Sequence, residues 1–166
     1  GFTKDERCEV VALCDPQLHM AEELAAEFHI PEATADWQAL VARADVDVVD
    51  IATPSATHWE LAWAALESGK HVLCEKPVAH DHRDVRRIAE LAKSKGLKTK
   101  VGFTFRYSPA VRYMKELIDE GWVGTPYIYN AYEQNSQWID PQTPLRQVPS
   151  DVDADRIRVS SLEGYG

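Results

Sequence analysis

The side chains able to do chemistry in this 166-residue chain collect in four short runs. Glu75-Lys76-Pro77 sets a carboxylate beside an ammonium, ahead of a proline that stiffens the backbone. A lysine can donate a hydrogen bond to an oxygen and stabilise charge developing there, and a desolvated lysine can exchange the proton itself. Asp15 carries a carboxylate that accepts hydroxyl hydrogen bonds and is equally suited to capping a helix. Thr53-Pro54 opens a rigid turn that runs through Ser55 to His58, which reads either as a surface histidine or as a ligand contact. In the fourth run, Thr104 to Tyr107, Arg106 pins a hydroxyl or carboxylate, or spans two domains as a salt bridge. A solvated pair at the end of a strand is the plain alternative for Glu75 and Lys76.

Elements of one type must position all four runs. Glu9 to Cys14 (EVVALC) is a short apolar, β-branched run of the strand kind, ended by Asp15-Pro16. Leu18, Ala21, Leu24, Ala25 and Phe28 then recur at helical spacing, with Asp15 as N-cap and Pro16 in the first turn. A short helix follows Asp36, and Val46 to Ala52 is a second strand. Trp59, Ala62, Trp63 and Leu66 mark a helix capped by Ser55 and stopped by Gly69. His71 to Cys74 is a third strand, Asp81 caps the next helix, and Lys100 to Thr104 is a fourth strand. Strands alternating with helices predict an α/β fold, a doubly wound parallel sheet in which ligands bind at the carboxyl ends of strands. All four chemical runs sit at such ends.

Past Tyr107 the texture changes. Ser108-Pro109 opens a helix that closes at Gly121, and Tyr127 to Gln134 alternates as a strand of an antiparallel sheet with one wet face would. The predicted organisation is a first domain over 1–106 and the start of a second over 107–166. Tyr132 and Trp138 either wall a sugar-sized pocket or belong to a core, and Ile139 to Gly166 shows no period.

Composition narrows the function. Eighteen Lys and Arg against 27 Asp and Glu give a net charge of −9, which argues against nucleic acid as a partner. The 45% hydrophobic and 27% charged residues are those of a globular protein, and no apolar run reaches membrane length. Three cysteines, with no CxxC spacing, point to a reducing compartment and a cytoplasmic location.

The run TPSATHWELAWAALESGKHVLCEKP, Thr53 to Pro77, closely resembles the signature of the Gfo/Idh/MocA oxidoreductases, and VALCD and GFTFRYSPAV fall where that family places them. The resemblance spans roughly Glu9 to Gln137 and is most specific at Glu75-Lys76-Pro77. It implies a Rossmann domain holding NAD, with NADP disfavoured, then a second α/β domain whose open, mainly antiparallel sheet supports the substrate site and homo-oligomer contacts. It further implies that Asp15 meets the adenosine ribose and repels a 2′-phosphate, and that Thr53, Pro54 and His58 lie against the cofactor. Lys76 becomes the catalytic group beside the nicotinamide, Glu75 orients the site or binds ribose, Pro77 is cis, and Thr104 and Arg106 stand by the nicotinamide ribose and substrate. The implied reaction is NAD-dependent hydride transfer at a carbinol carbon of a sugar, cyclitol or related polyol. An NAD-retaining glycosidase or lyase, and a non-catalytic nucleotide sensor, are the alternatives.

The chain departs from the family pattern in three places. Ser55 stands where Asn is common. The family's first strand and GxGxxG loop precede what begins here at Gly1-Phe2-Thr3, which implies a portion of a longer polypeptide. The family's LxDxGxH segment aligns with Leu162 to Gly166 (LEGYG), which sets Gly164 where Asp is expected.

Overall fold

Strands and helices alternate through most of the chain in a computed structural model that describes residues 2–132. Strand β1 (Leu13–Cys14) leads to helix α1 (Leu18–Phe28), β2 (Ala33–Thr34) and α2 (Trp37–Ala42). There follow β3 (Val48–Ile51), α3 (His58–Glu67), β4 (His71–Cys74), α4 (His82–Ser94) and β5 (Thr99–Val101). β1 pairs in parallel with β2, while β3, β4 and β5 form a second parallel sheet in that order. Ile51 sits beside Cys74, and Cys74 beside Val101, so the three strands end level with one another. This is the expected Rossmann-like α/β architecture.

Local chemistry sets the helix ends. Asp36 caps α2, accepting the Ala39 amide at 2.9 Å, and Asp81 caps α4, accepting the Arg83 amide at 2.8 Å. Gly69 and Gly96 follow α3 and α4 at φ +76° and +68°, a left-handed backbone that glycine adopts without penalty. The core lies between the three-stranded sheet and α3 and α4. Ala62, Ala65 and Leu66 are fully buried against Ile51, Val72 and Cys74. The small alanines let α3 approach the sheet closely, and burying Leu66 contributes about 1.5–3 kcal/mol. Trp59 and Trp63 stack with ring centroids 5.6 Å apart, and Arg87 of α4 lies over both rings, tying α4 to α3.

Several elements differ from the sequence expectation. The first strand is two residues long instead of six. Its ladder exists only where β2 supplies a partner, through Leu13 N–H to Glu32 O and Asp15 N–H to Thr34 O. β2 itself has no sequence signal, being two residues without a periodic pattern. Asp15 and Pro16 do not open α1: Gln17 holds the cap position, and the Asp15 carboxylate instead accepts the Gln17 amide at 2.7 Å in a turn. Ser55 is no cap either. It begins a 3-10 turn, Ser55–Thr57, that leads into α3. Along α1 the expected stripe is buried only at Ala21 and Ala25, while Leu18, Leu24 and Phe28 stay exposed. The fourth strand stops at Val101, because Phe103, at φ −75° and ψ 72°, turns the chain off the ladder.

A second unit begins at Phe103, the first ending at Gly102. It opens with a 3-10 turn, Thr104–Tyr107, and helix α5 (Pro109–Asp119), with Pro109 in the first turn as expected. Tyr127 to Tyr132 is irregular and well exposed, not a strand; no ladder partner stands beside it among the described residues. The rest of that expected strand, Trp138 and the Leu162–Gly166 segment lie outside the described residues.

Candidate active site

Asp15, Thr53 and Glu75 each follow a strand of the first unit directly or by one residue, at its carboxyl end. Asp15 is half-buried after β1, where its carboxylate is oriented by the Gln17 amide. A carboxylate so placed suits the two hydroxyls of a ribose and opposes a phosphate in the same spot.

The turn after β3 is closed by its own hydroxyls. Thr57 Oγ1 donates to the Pro54 carbonyl at 2.8 Å, which leaves the Thr53 hydroxyl to donate to Thr57 Oγ1, also at 2.8 Å. Thr53 and Pro54 thus present a fixed edge at the sheet's rim. His58, the first residue of α3, is 1% exposed. Its Nε2 lies 2.7 Å from the Thr53 carbonyl and its Nδ1 2.7 Å from the Pro77 carbonyl. Neither the surface reading nor a cofactor contact through a ring nitrogen agrees with that geometry, since protein backbone occupies both nitrogens.

The turn after β4 carries the lysine. Glu75 stays on the ladder, its amide donating to Ile51 O at 2.8 Å. Its carboxylate folds over Gly102 and accepts the Lys76 amide at 3.2 Å. A Cβ on Gly102 would stand 2.7 Å from Glu75 Oε1, so a larger residue there makes the carboxylate swing out of this position. The Gly102 amide in turn bonds Cys74 O at 2.8 Å. The Lys76–Pro77 peptide is cis, as the resemblance implied, and the Lys76 side chain is exposed. Sequence reasoning missed Gly102; a glycine inside the KVGFT strand was the available signal.

Two neighbours respond to the Glu75 charge. Asp50, one residue before the end of β3, has its carboxyl pushed up by desolvation and then by the Glu75 charge. The buried Cys74 thiol is pushed up to about 11 by desolvation, with smaller contributions from Glu75 and Asp50, so it is inert and fills core. Thr104 and Arg106 fall in the 3-10 turn of the second unit, and both are exposed. No group of three or more His, Cys, Asp or Glu residues among the described ones is disposed to hold a metal ion.

The donor set fits the two ends of a nicotinamide dinucleotide: a carboxylate at Asp15 able to accept ribose hydroxyls, and a cation with a rigid polar rim at Lys76 and Thr53. The chain has no glycine cluster of the kind that cradles a pyrophosphate, so none of its residues is assigned to that group.

Comparison with known proteins agrees with this reading. Residues 2–103 match the family model described as "Oxidoreductase family, NAD-binding Rossmann fold". Levoglucosan dehydrogenase of Pseudarthrobacter phenanthrenivorans is 36% identical over 137 residues, 82% of this chain and 35% of that protein. The scyllo-inositol 2-dehydrogenase (NAD(+)) of Bacillus subtilis is 31% identical over 76% of this chain and 37% of its own length. The crystal structure of scyllo-inositol dehydrogenase from Lactobacillus casei, with bound NAD(H) and scyllo-inositol, superposes with a TM-score of 0.69. It is 30% identical, over 74% of this chain and 36% of that one. The chain thus spans a little over a third of the length of these relatives. On the match of residues 2–103, the chain belongs to the Gfo/Idh/MocA oxidoreductases with an NAD-binding Rossmann fold.

Proposed function

We propose that the whole protein is an NAD-dependent dehydrogenase acting at a carbinol carbon of a sugar, cyclitol or related polyol, with Lys76 as its catalytic residue. When bound, NAD supplies the hydride acceptor. The residues of this chain supply the rest. Asp15 accepts the adenosine ribose hydroxyls and turns away a 2′-phosphate. Thr53 and Pro54 form a stiff wall, and Glu75 orients Lys76 by accepting its amide hydrogen. The Lys76 amine holds the proton shared with the carbinol oxygen, stabilising charge there as the C–H bond weakens. Thr104 and Arg106 serve the substrate side. Assembly into a homo-oligomer through the second domain, and a cytoplasmic location, belong to the same reading; no helix among the described residues is long and apolar enough to cross a membrane.

One observation carries this: Lys76 follows the carboxyl end of the central strand β4, its amide bonded to the Glu75 carboxylate that lies over Gly102. The similarity to sugar and cyclitol dehydrogenases supports the substrate class. The test is the whole protein with NAD and a panel of polyols and anhydrosugars, read by NADH absorbance. Reduction with at least one of them, and stronger binding of NAD than of NADP, is expected. A protein that neither forms NADH nor binds it would defeat the proposal, and turnover with no net NADH would transfer it to the cofactor-retaining hydrolases and lyases.

A further inference from the structure

His58 stands between two backbone carbonyls, Thr53 O after β3 and Pro77 O after β4, each 2.7 Å from a ring nitrogen, at 1% exposure. A carbonyl can only accept. A neutral imidazole has one N–H and one bare nitrogen, so it satisfies one of these carbonyls and turns a lone pair on the other. At these distances, and away from water, the second contact is favourable only if that nitrogen also donates. The two carbonyls belong to the turns that carry Thr53-Pro54 and Lys76-Pro77, five and nineteen residues from His58.

From this geometry we infer that His58 is a positioning residue, a two-donor tie whose ring carries a proton on each nitrogen and locks the Thr53 turn to the Lys76 turn. The inference rests on the proposed dehydrogenase reading for its consequence, which is that the tie fixes the rim against which cofactor and substrate are held. Its geometric part is independent of that reading. Removing the ring's donors leaves two part-buried carbonyls without this partner and lets the turns move separately. Lys76 itself is untouched by such a change, so cofactor affinity and rate are lost through misplacement, not through missing chemistry.

The test uses the whole protein. Proton–nitrogen NMR on histidine labelled in its ring nitrogens, with His58 assigned by its absence from His58→Phe, reads protonation directly. Two N–H nitrogens are expected, and one bare nitrogen overturns the inference. His58→Phe keeps the ring's volume without donors, and His58→Gln returns a donor. Amide hydrogen exchange over residues 53–57 and 75–78 should quicken at least tenfold in His58→Phe and recover in part in His58→Gln, with α4 amides unchanged. NADH affinity should fall about tenfold along with it. Equal protection of both turns in wild type and His58→Phe overturns the inference, and if that variant does not fold, the wild-type protonation state and the Gln variant decide. A wild-type protein that shows both N–H signals but binds no NADH refutes the dehydrogenase reading and leaves the tie standing.

Discussion

At the scale of single residues, the account depends on a few side chains held by their neighbours. Gly102→Ala places a Cβ 2.7 Å from the Glu75 carboxylate, whose flexible end can swing away. The fold is therefore expected to survive with its melting temperature nearly unchanged, while the Lys76 amide loses its acceptor and turnover falls up to about tenfold, the worth of one hydrogen bond. A variant with wild-type rates would show that Glu75 does not orient Lys76. Asp15→Ala should weaken NAD binding and narrow the preference over NADP, as paired affinity measurements will show; an unchanged preference would remove Asp15 from the ribose. Lys76, Glu75 and Asp15 were legible in the sequence because their chemistry stands at breaks in the periodic pattern. The bonds of His58 were not: a histidine five residues past one turn shows no sign of a second carbonyl contributed by the next strand's end, nineteen residues on.

At the scale of elements, residue type settled several helix ends and failed at two, Asp15 before α1 and Ser55 before α3, where the chain makes a further turn before the helix begins. Asp36, Asp81, Gly69, Gly96 and Pro109 act as their types predict. Strand lengths were not readable, because a strand extends only as far as its partner does, and β2 carries no pattern to announce itself. Asp81→Ala should cost about 1 kcal/mol through the lost cap, measurable by urea denaturation. The acid limb has a defined sign. Arg83 holds the Asp81 carboxyl down to about 2, and Arg43 does the same for Asp45, against an ordinary 3.8. Carboxyls depressed in the folded state lend stability that is complete above about 3.8 and drains as pH falls toward about 2. Both groups are exposed, so the effect is modest and shrinks in salt. Asp50 works the other way: its raised carboxyl makes ionisation unfavourable in the fold, so stability is lost as pH rises past the ordinary value, and because the residue is exposed this effect too is small. Asp50→Asn should raise the urea midpoint at neutral pH and leave it unchanged in strong acid. No gain at neutral pH would mean that the Asp50 carboxylate is well solvated.

At the scale of the whole molecule, the alternation of strand and helix foretold the α/β class, since a parallel sheet needs helical crossovers and leaves that rhythm in the sequence. The aromatic alternation that begins at Tyr127 has no strand to match it over Tyr127 to Tyr132, because periodicity reports a face and not the partner strand that face requires. Leu66→Ala, at the centre of the contact between α3 and the sheet, should cost about 2–5 kcal/mol in chemical denaturation. The central claim concerns Lys76, and the most direct measurement is polyol turnover and NADH affinity on the same preparations of wild-type and Lys76→Ala whole protein. The expected result is a fall in kcat of roughly 10²- to 10⁴-fold, the loss of a general acid–base group, with NADH bound within a few-fold of wild type. A Lys76→Ala protein that turns over at the wild-type rate would contradict the account.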